Sequence, residues 1–131
     1  LINNGLTKFQ PVYVKDVAKA VYVVINNKKH IGNTYSLGGA EIISFKEIID
    51  FILLKIRKKR IYISLSFPLA KLIAILLSIF PSSPITLDQV RLLEKDNIIP
   101  EKVEGFKELG IKPISIYLLA EEYLNRYISR Y

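Results

Sequence analysis

Phe9-Gln-Pro-Val-Tyr-Val-Lys-Asp-Val-Ala-Lys-Ala-Val21 reads as a short extended segment running straight into a helix. Pro11 has no amide hydrogen to give to a ladder, so it marks a strand's entry rather than its middle. Val12, Tyr13 and Val14 are β-branched or aromatic and suit a pleated surface. Asp16 follows as a helix cap, its carboxylate placed to accept the amide hydrogens of Ala18 or Lys19 at the positive end of the dipole. Val14, Val17, Ala18, Val21, Val24 and Ile25 recur at helical spacing and predict one buried face.

Upstream, Asn3-Asn4-Gly5 is a turn signal, and Leu1–Lys8 is expected to be the frayed end of a sheet. Downstream the helix ends near Asn26-Asn27, where Lys28, Lys29 and His30 suit its negative pole. His30, the only histidine, reads as an exposed surface residue. Asn33–Leu37 alternates as a strand does, and Gly38-Gly39 turns the chain. Two glycines without a third, and without a helix start behind them, are not a dinucleotide fingerprint.

Ser44-Phe-Lys-Glu47 is a capping box, with Ile43 and Ile48 as its hydrophobic staple. Phe45, Ile48, Ile49, Ile52, Leu53 and Ile56 mark the inward face of that helix. A strand is expected over Ile61–Leu65. Phe67–Phe80 is the most apolar segment, with Lys71 its only charge; its 14 residues fall short of the ~20 a spanning helix needs. Leu69, Leu72, Ile73, Leu76 and Phe80 share one of its faces. Two readings stand for it: a helix packed in a core, or an interfacial helix beside basic residues.

Pro81–Pro84 is a loop. Thr86-Leu-Asp-Gln89 repeats the capping box and opens a helix terminated by Asp96-Asn97. Glu104–Leu109 predicts a turn or two of helix closed by Gly110 and Pro113. The last helix is expected to bury Ile116, Leu119, Ala120, Tyr123, Leu124 and Tyr127. Glu101, Glu104 and Glu108 read as a solvated surface.

At 131 residues, half of them hydrophobic, the chain is one domain or part of one. The absence of cysteine excludes disulfide scaffolds, thiol catalysis and thiolate metal sites. The absence of methionine leads us to read the chain as a fragment. Its net charge of +7 is lopsided: residues 1–60 carry eleven Lys/Arg against four Asp/Glu, and residues 61–131 carry eight of each. The excess peaks at Lys55, Arg57, Lys58, Lys59 and Arg60. Such a field attracts lipid headgroups or phosphates, or is simply a solvated face.

The Phe-x-Pro-Val-x-Val-x-Asp-Val-Ala-x-Ala string of the opening stretch resembles extended short-chain dehydrogenase/reductases at the point where they leave their nucleotide-binding sheet. Through Gln10–Asp16, Gly38-Gly39 and Asp88–Asn97, the chain is most similar to an atypical, epimerase-like branch, the accessory subunit of respiratory complex I and its bacterial relatives. Leu109-Gly-Ile-x-Pro113 before a last amphipathic helix belongs to the same resemblance.

The resemblance implies an α/β fold: the C-terminal fragment of a Rossmann-type protein, helix-rich with a few short strands. Residues 1–27 would be the last strand–helix unit of the nucleotide-binding sheet, and residues 28–131 the substrate-side subdomain. It also places Gln10, Pro11 and Tyr13 near cofactor or substrate; shaping the strand entry is the plainer role for them. NADP(H) or NAD(H) would belong to the full-length protein, with none bound by this fragment. The expected partners are a missing N-terminal Rossmann portion, complex I subunits and an anionic membrane surface, but no nucleic acid. That surface would be met by Lys55, Arg57, Lys58, Lys59, Arg60, Leu69, Leu72, Ile73, Leu76 and Phe80. The location implied is cytoplasmic, peripheral on the inner face of the plasma membrane or on the inner mitochondrial membrane.

Catalytic residues are not expected. None of the eight tyrosines has a lysine four residues on, as the reductases' proton-handling pair requires. One histidine and no cysteine make neither a metal site nor a Ser/His/Asp centre. The expected function is therefore a non-catalytic portion of a complex I accessory-subunit-like protein. The alternative is the C-terminal half of an NAD(P)-dependent sugar epimerase or reductase.

Overall fold

A computed structural model describes residues 1–80, 83–100 and 102–124, apart from the side chains of Glu121 and Glu122. Part of the 81–84 loop, Glu101 and the expected contact of Tyr127 lie outside the described residues. The chain forms two units, one of Leu1–Phe9 with Ile43–Asn97, the other of Gln10–Ile42 with the residues from Ile98 onward.

The first unit is clasped by strand β1 (Lys8–Phe9), antiparallel to β2 (Ile43–Ser44), with Lys8 opposite Ser44 and Phe9 opposite Ile43. Phe9 also bridges Asn97, and Ile2 bridges Leu65, both parallel. The start of the chain is thus not frayed, contrary to expectation. Leu65 N–H donates to the Leu1 carbonyl and Asn3 N–H to the Leu65 carbonyl, each at 2.8 Å. Asn3, Asn4 and Gly5 turn there at φ 46°, 56° and 68°, the left-handed region that Asn and Gly tolerate best.

Helix α2 (Phe45–Lys55) begins on the expected capping box: Ser44 N–H donates to Glu47 Oε2 at 2.7 Å, and Glu47 N–H to Ser44 Oγ at 3.2 Å. Its inward face is half-buried throughout, with no residue of the helix fully buried. Helix α3 (Phe67–Leu77) takes Pro68 into its first turn, where a missing N–H costs nothing. Ala70 and Ala74, one turn apart, are wholly buried together with Val90 of α4 (Leu87–Leu92). Small residues on one helix let the other approach closely. Ile2, Leu65, Phe67 and Ile85 pack around them, and Lys71 pairs with Glu94. Helix α4 has its expected box, Thr86 with Gln89, but ends at Leu92 rather than at Asp96-Asn97. Asp96 instead accepts the Lys8 N–H at 2.8 Å.

In the second unit the helix of the opening stretch, α1, runs Val14–Ile25. Val12 and Tyr13 are not laddered, although Tyr13 is extended (φ −77°, ψ 129°). The expected strands at 33–37 and 61–65 are likewise absent. A strand needs a continuous hydrogen-bonding neighbour; 33–37 has a bond from Ser36 N–H to the Glu104 carbonyl at 2.8 Å, and 61–65 pairs with the start of the chain only through Ile63 and the isolated Leu65 bridge.

The buried side of α1 also differs. Asp16 and Ala20 are buried and Val23 and Val24 pack on the core of Ala20, Phe106 and Leu109, whereas Val14, Val21 and Ile25 face out. Gly110 closes the Phe106–Leu109 turn as expected, at φ +68°, with Ile111 N–H reaching back to the Phe106 carbonyl at 2.9 Å. Helix α5 (Ile116–Leu124) half-buries Ile116, Leu119, Ala120 and Leu124, while Tyr123 is exposed rather than buried.

Five α-helices and one two-stranded sheet among the described residues bear out a helix-rich chain with a few short strands, compatible with α/β.

Candidate functional site

Gln10 is the hub of the second unit. Its Nε2 donates to the Gly39 carbonyl at 3.0 Å, its Oε1 accepts the Ile99 N–H at 3.0 Å, and its own carbonyl accepts the Gly39 N–H at 3.3 Å. One side chain therefore stitches together the segments around residues 10, 39 and 99. Glycine at 39 is dictated by this packing, because a Cβ there would sit 1.6 Å from the Pro11 carbonyl oxygen. At Gly38 a Cβ would meet Gln10 Cδ and Ile99 Cδ1, both at 2.6 Å. Gly39 thus serves close backbone packing, and Gly38 leaves room for the Gln10 and Ile99 side chains.

Beside this hub lies an open cleft of about 820 Å3, lined by Gln10, Gly38, Gly39, Ile99, Phe106, Lys107 and Lys112 among others. Gln10 is on its wall; Pro11 and Tyr13 are not among the lining residues. The Tyr13 ring is half-buried, with Lys15 Nζ 5.8 Å from its centroid. Gln10 has its amide group committed to the backbone, so it shapes the wall. Glu108 is exposed, and its Oε2 accepts the Gly105 N–H at 2.7 Å. That bond holds its carboxyl below the usual range.

Three polar residues have roles that local pattern does not reveal. Asp16 is not the cap of α1: it is fully buried, and its Oδ2 accepts the Ile114 N–H at 2.8 Å, tying the approach to α5 onto α1. Glu41 Oε2 accepts the Ile116 N–H at 3.2 Å, taking one of the orphan donors at the start of α5. His30 is buried, not exposed; its Nδ1 lies 2.7 Å from the Tyr35 hydroxyl, which also accepts from Asn33 Nδ2 at 3.1 Å. Partners distant in sequence carry no periodic signature, so nothing in the local pattern could have found the first two. The His30-x-x-x-x-Tyr35 spacing was readable, but gives no hint of burial.

The first unit carries the basic run. Arg57, Lys58, Lys59 and Arg60 are exposed, with Arg57 at φ 56°, and Lys55 is half-buried with its Nζ 5.7 Å from the Phe51 ring centroid. The run is anchored behind by a latch: the Tyr62 hydroxyl donates to Asp50, which also takes Lys46 Nζ at 2.6 Å. Lys46 and then Tyr62 hold the Asp50 carboxyl below its ordinary range, and Asp50 pushes the Tyr62 hydroxyl up. On α3, Leu69, Leu72 and Leu76 are exposed, as is Phe80 just beyond it, whereas Ile73 is half-buried. Ile61 and Ile63, between run and helix, are 95% and 74% exposed. An exposed cationic loop followed by an outward apolar helix face suits an anionic, greasy surface. Among the described residues no helix is long and apolar enough to cross a membrane, and no cluster of three metal-ligating side chains occurs.

No family model matches the chain. It is, however, similar along nearly its whole length to curated subunits of one enzyme. It is 33% identical over 137 residues to "NADH dehydrogenase [ubiquinone] 1 alpha subcomplex subunit 9, mitochondrial" of Arabidopsis thaliana, covering 97% of this chain and 34% of that protein. Against "NADH-ubiquinone oxidoreductase 40 kDa subunit, mitochondrial" of Neurospora crassa, identity is 29% over 131 residues, covering 98% and 35%. The mouse subunit 9 is 26% identical over 129 residues. The chain spans about a third of the length of the curated relatives it matches. The resemblance to a complex I subunit is borne out by these relatives.

Proposed function

We propose that this chain is the C-terminal, non-catalytic portion of an accessory subunit of NADH–ubiquinone oxidoreductase, built as an atypical extended short-chain dehydrogenase/reductase. The observation that carries this reading is similarity over 97% of the chain to the Arabidopsis subunit. Residues 1–27 provide the last strand–helix unit of a nucleotide-binding sheet, and residues 28–131 the substrate-side subdomain. The rest of the subunit holds NADP(H) or NAD(H), with Gln10, Pro11 and Tyr13 toward the nicotinamide end. The whole sits peripherally on the inner mitochondrial membrane, or on the plasma membrane of a bacterium.

Docking runs through Lys55, Arg57–Arg60 and the outward face of α3, including Leu69, Leu72 and Leu76, with Phe80 beyond it and Ile73 at its edge. Basic side chains near an anionic leaflet are worth ~1 kcal/mol each, and the apolar face inserts beside them. The epimerase alternative has no comparable support: the relatives named above are all NADH–ubiquinone oxidoreductase subunits.

A chimaera tests the reading. The matched third of the Arabidopsis subunit is replaced by this chain, and incorporation into the enzyme is followed on native gels of plant mitochondria. Incorporation at the wild-type position is expected. A chimaera that folds and binds its nucleotide but stays free of the enzyme refutes the proposal.

A further inference from the structure

The loop that joins α2 to α3 is held at its stem and bare at its tip. Lys58 N–H donates to the Leu53 carbonyl at 2.9 Å, tying the start of the loop to the last turns of α2. Further on, the Tyr62 hydroxyl donates to Asp50, and Lys46 Nζ lies 5.5 Å from the centroid of the Tyr62 ring. Lys46 and Asp50 are themselves paired one turn apart on α2, so Tyr62 is pinned against that helix. Burial alternates around the pin: Tyr62 is half-buried, while its neighbours Ile61 and Ile63 are 95% and 74% exposed. Successive side chains of an extended segment point to opposite sides, so holding the tyrosine in turns both isoleucines out. Single exposed apolar residues are ordinary. Two isoleucines on one side of a short segment, directly after the exposed Arg57, Lys58, Lys59 and Arg60, are a composite feature. No aspartate or glutamate occurs between Asp50 and Asp88 in the sequence, and Asp50 is committed to Lys46 and Tyr62.

We infer that residues 57–63 form a membrane wedge: Ile61 and Ile63 enter the acyl region of an anionic bilayer while Arg57, Lys58, Lys59 and Arg60 stay with the phosphates. The inference rests on the membrane docking proposed above and adds the element that enters, the loop ahead of α3. The pairing of two chemistries selects the occupant. Free phosphate or a nucleic-acid backbone answers the cations but offers an isoleucine nothing. Surfaces that bind single-stranded nucleic acid set stacking aromatics among their cations, and the aromatic of this loop, Tyr62, is turned to α2. In a bilayer the charged headgroups lie directly over the acyl chains, so cations and apolar side chains adjacent in sequence meet both layers at once. The long Lys and Arg stems reach back to the headgroups from that depth.

The chain contains no tryptophan, so Ile61→Trp and Ile63→Trp each place a single fluorescent reporter at the tip. Ile31→Trp, at a position 76% exposed in the other unit, is the control. Emission is read with phosphatidylcholine vesicles containing phosphatidylserine, with and without bromine on the acyl chains. Both tip reporters are expected to shift to the blue and to be quenched by the brominated chains, and Ile31→Trp to do neither. Ile61→Ser with Ile63→Ser should weaken partitioning onto the vesicles about tenfold or more at unchanged circular dichroism, because both side chains are largely exposed. Tip reporters that stay in water on bound vesicles, or a double variant that binds as the wild type does, overturn the wedge and leave docking through the basic run and α3 standing. A folded wild-type chain that does not bind the vesicles overturns wedge and docking together, and the chimaera still judges the complex I assignment separately. A blue shift with soluble polyglutamate as large as with vesicles would give the tip an acidic polypeptide partner and overturn the inference.

Discussion

Gly39→Ala should unfold the hub around Gln10. The new methyl carbon would fall 1.6 Å from the Pro11 carbonyl oxygen, about half the distance two such atoms tolerate, and both are fixed to backbone. The 38–39 segment must therefore retreat by more than an ångström. Retreat breaks the Gly39 N–H bond to the Gln10 carbonyl and the Gln10 Nε2 bond to the Gly39 carbonyl. At ~1 kcal/mol for each bond and ~1–3 kcal/mol for overpacking, the loss is about 3–5 kcal/mol. That is a large share of the 5–15 kcal/mol that holds a typical domain together. Urea unfolding followed by circular dichroism and tyrosine fluorescence measures it, and hydrogen exchange at the Ile99 amide reports the hub directly. Gly32→Ala is the matched control, because a Cβ there meets nothing within 4 Å and only its φ of +81° is strained, at ~1–2 kcal/mol. A Gly39→Ala chain within 1 kcal/mol of wild type, or less affected than Gly32→Ala, would show that the close approach is not what stabilises this region.

Removing the cap hydroxyls by Ser44→Ala or Thr86→Ala should each cost ~1 kcal/mol, read as a lower urea midpoint with unchanged slope. The latch at the basic run has a pH window with two edges. Asp50 is held below its ordinary range in the fold, so its contribution is complete above the unfolded value and fades as pH falls through the folded one. Tyr62 is raised above its ordinary value of 10.0, so its contribution is complete below that value and fades as pH rises through the folded one. Ultraviolet titration of tyrosinate should show one late-titrating ring, absent in Tyr62→Phe and shifted down in Asp50→Asn; an unchanged late ring in Tyr62→Phe disproves the assignment. Lys58→Glu with Lys59→Glu should weaken co-sedimentation with phosphatidylserine-containing vesicles roughly thirtyfold, at ~1 kcal/mol per charge lost, and equal binding would remove the polybasic argument. Titration calorimetry should find no NADPH binding to the isolated chain, since the nucleotide site is assigned to the rest of the subunit; micromolar affinity would contradict that assignment.

Local features were legible before any coordinates. Both capping boxes, the glycine-closed turn at Gly110 and the helices that follow Ser44 and Thr86 depend on residues within five positions of one another. Short-range hydrogen bonds and helix periodicity leave their mark directly in the order of residue types. The exposed basic run was readable for the same kind of reason. Asp16 and His30 were misread by that logic. A carboxylate near a helix start resembles a cap, and a histidine among lysines resembles a surface residue, until a partner 98 positions away or a neighbouring ring takes it inside.

Sequence alone therefore determined the two capping-box helix starts at Ser44 and Thr86, the lopsided charge and the similarity to complex I subunits, all of which are properties of residue identity and near neighbours. Tertiary structure alone decided which side of α1 is buried, that Gln10 binds residues 39 and 99 together, and that 33–37 and 61–65 stay out of any sheet. Those outcomes depend on which distant segment offers a hydrogen bond or a close-packed surface. The hydrophobic period shows that a face is greasy and leaves open what comes to cover it.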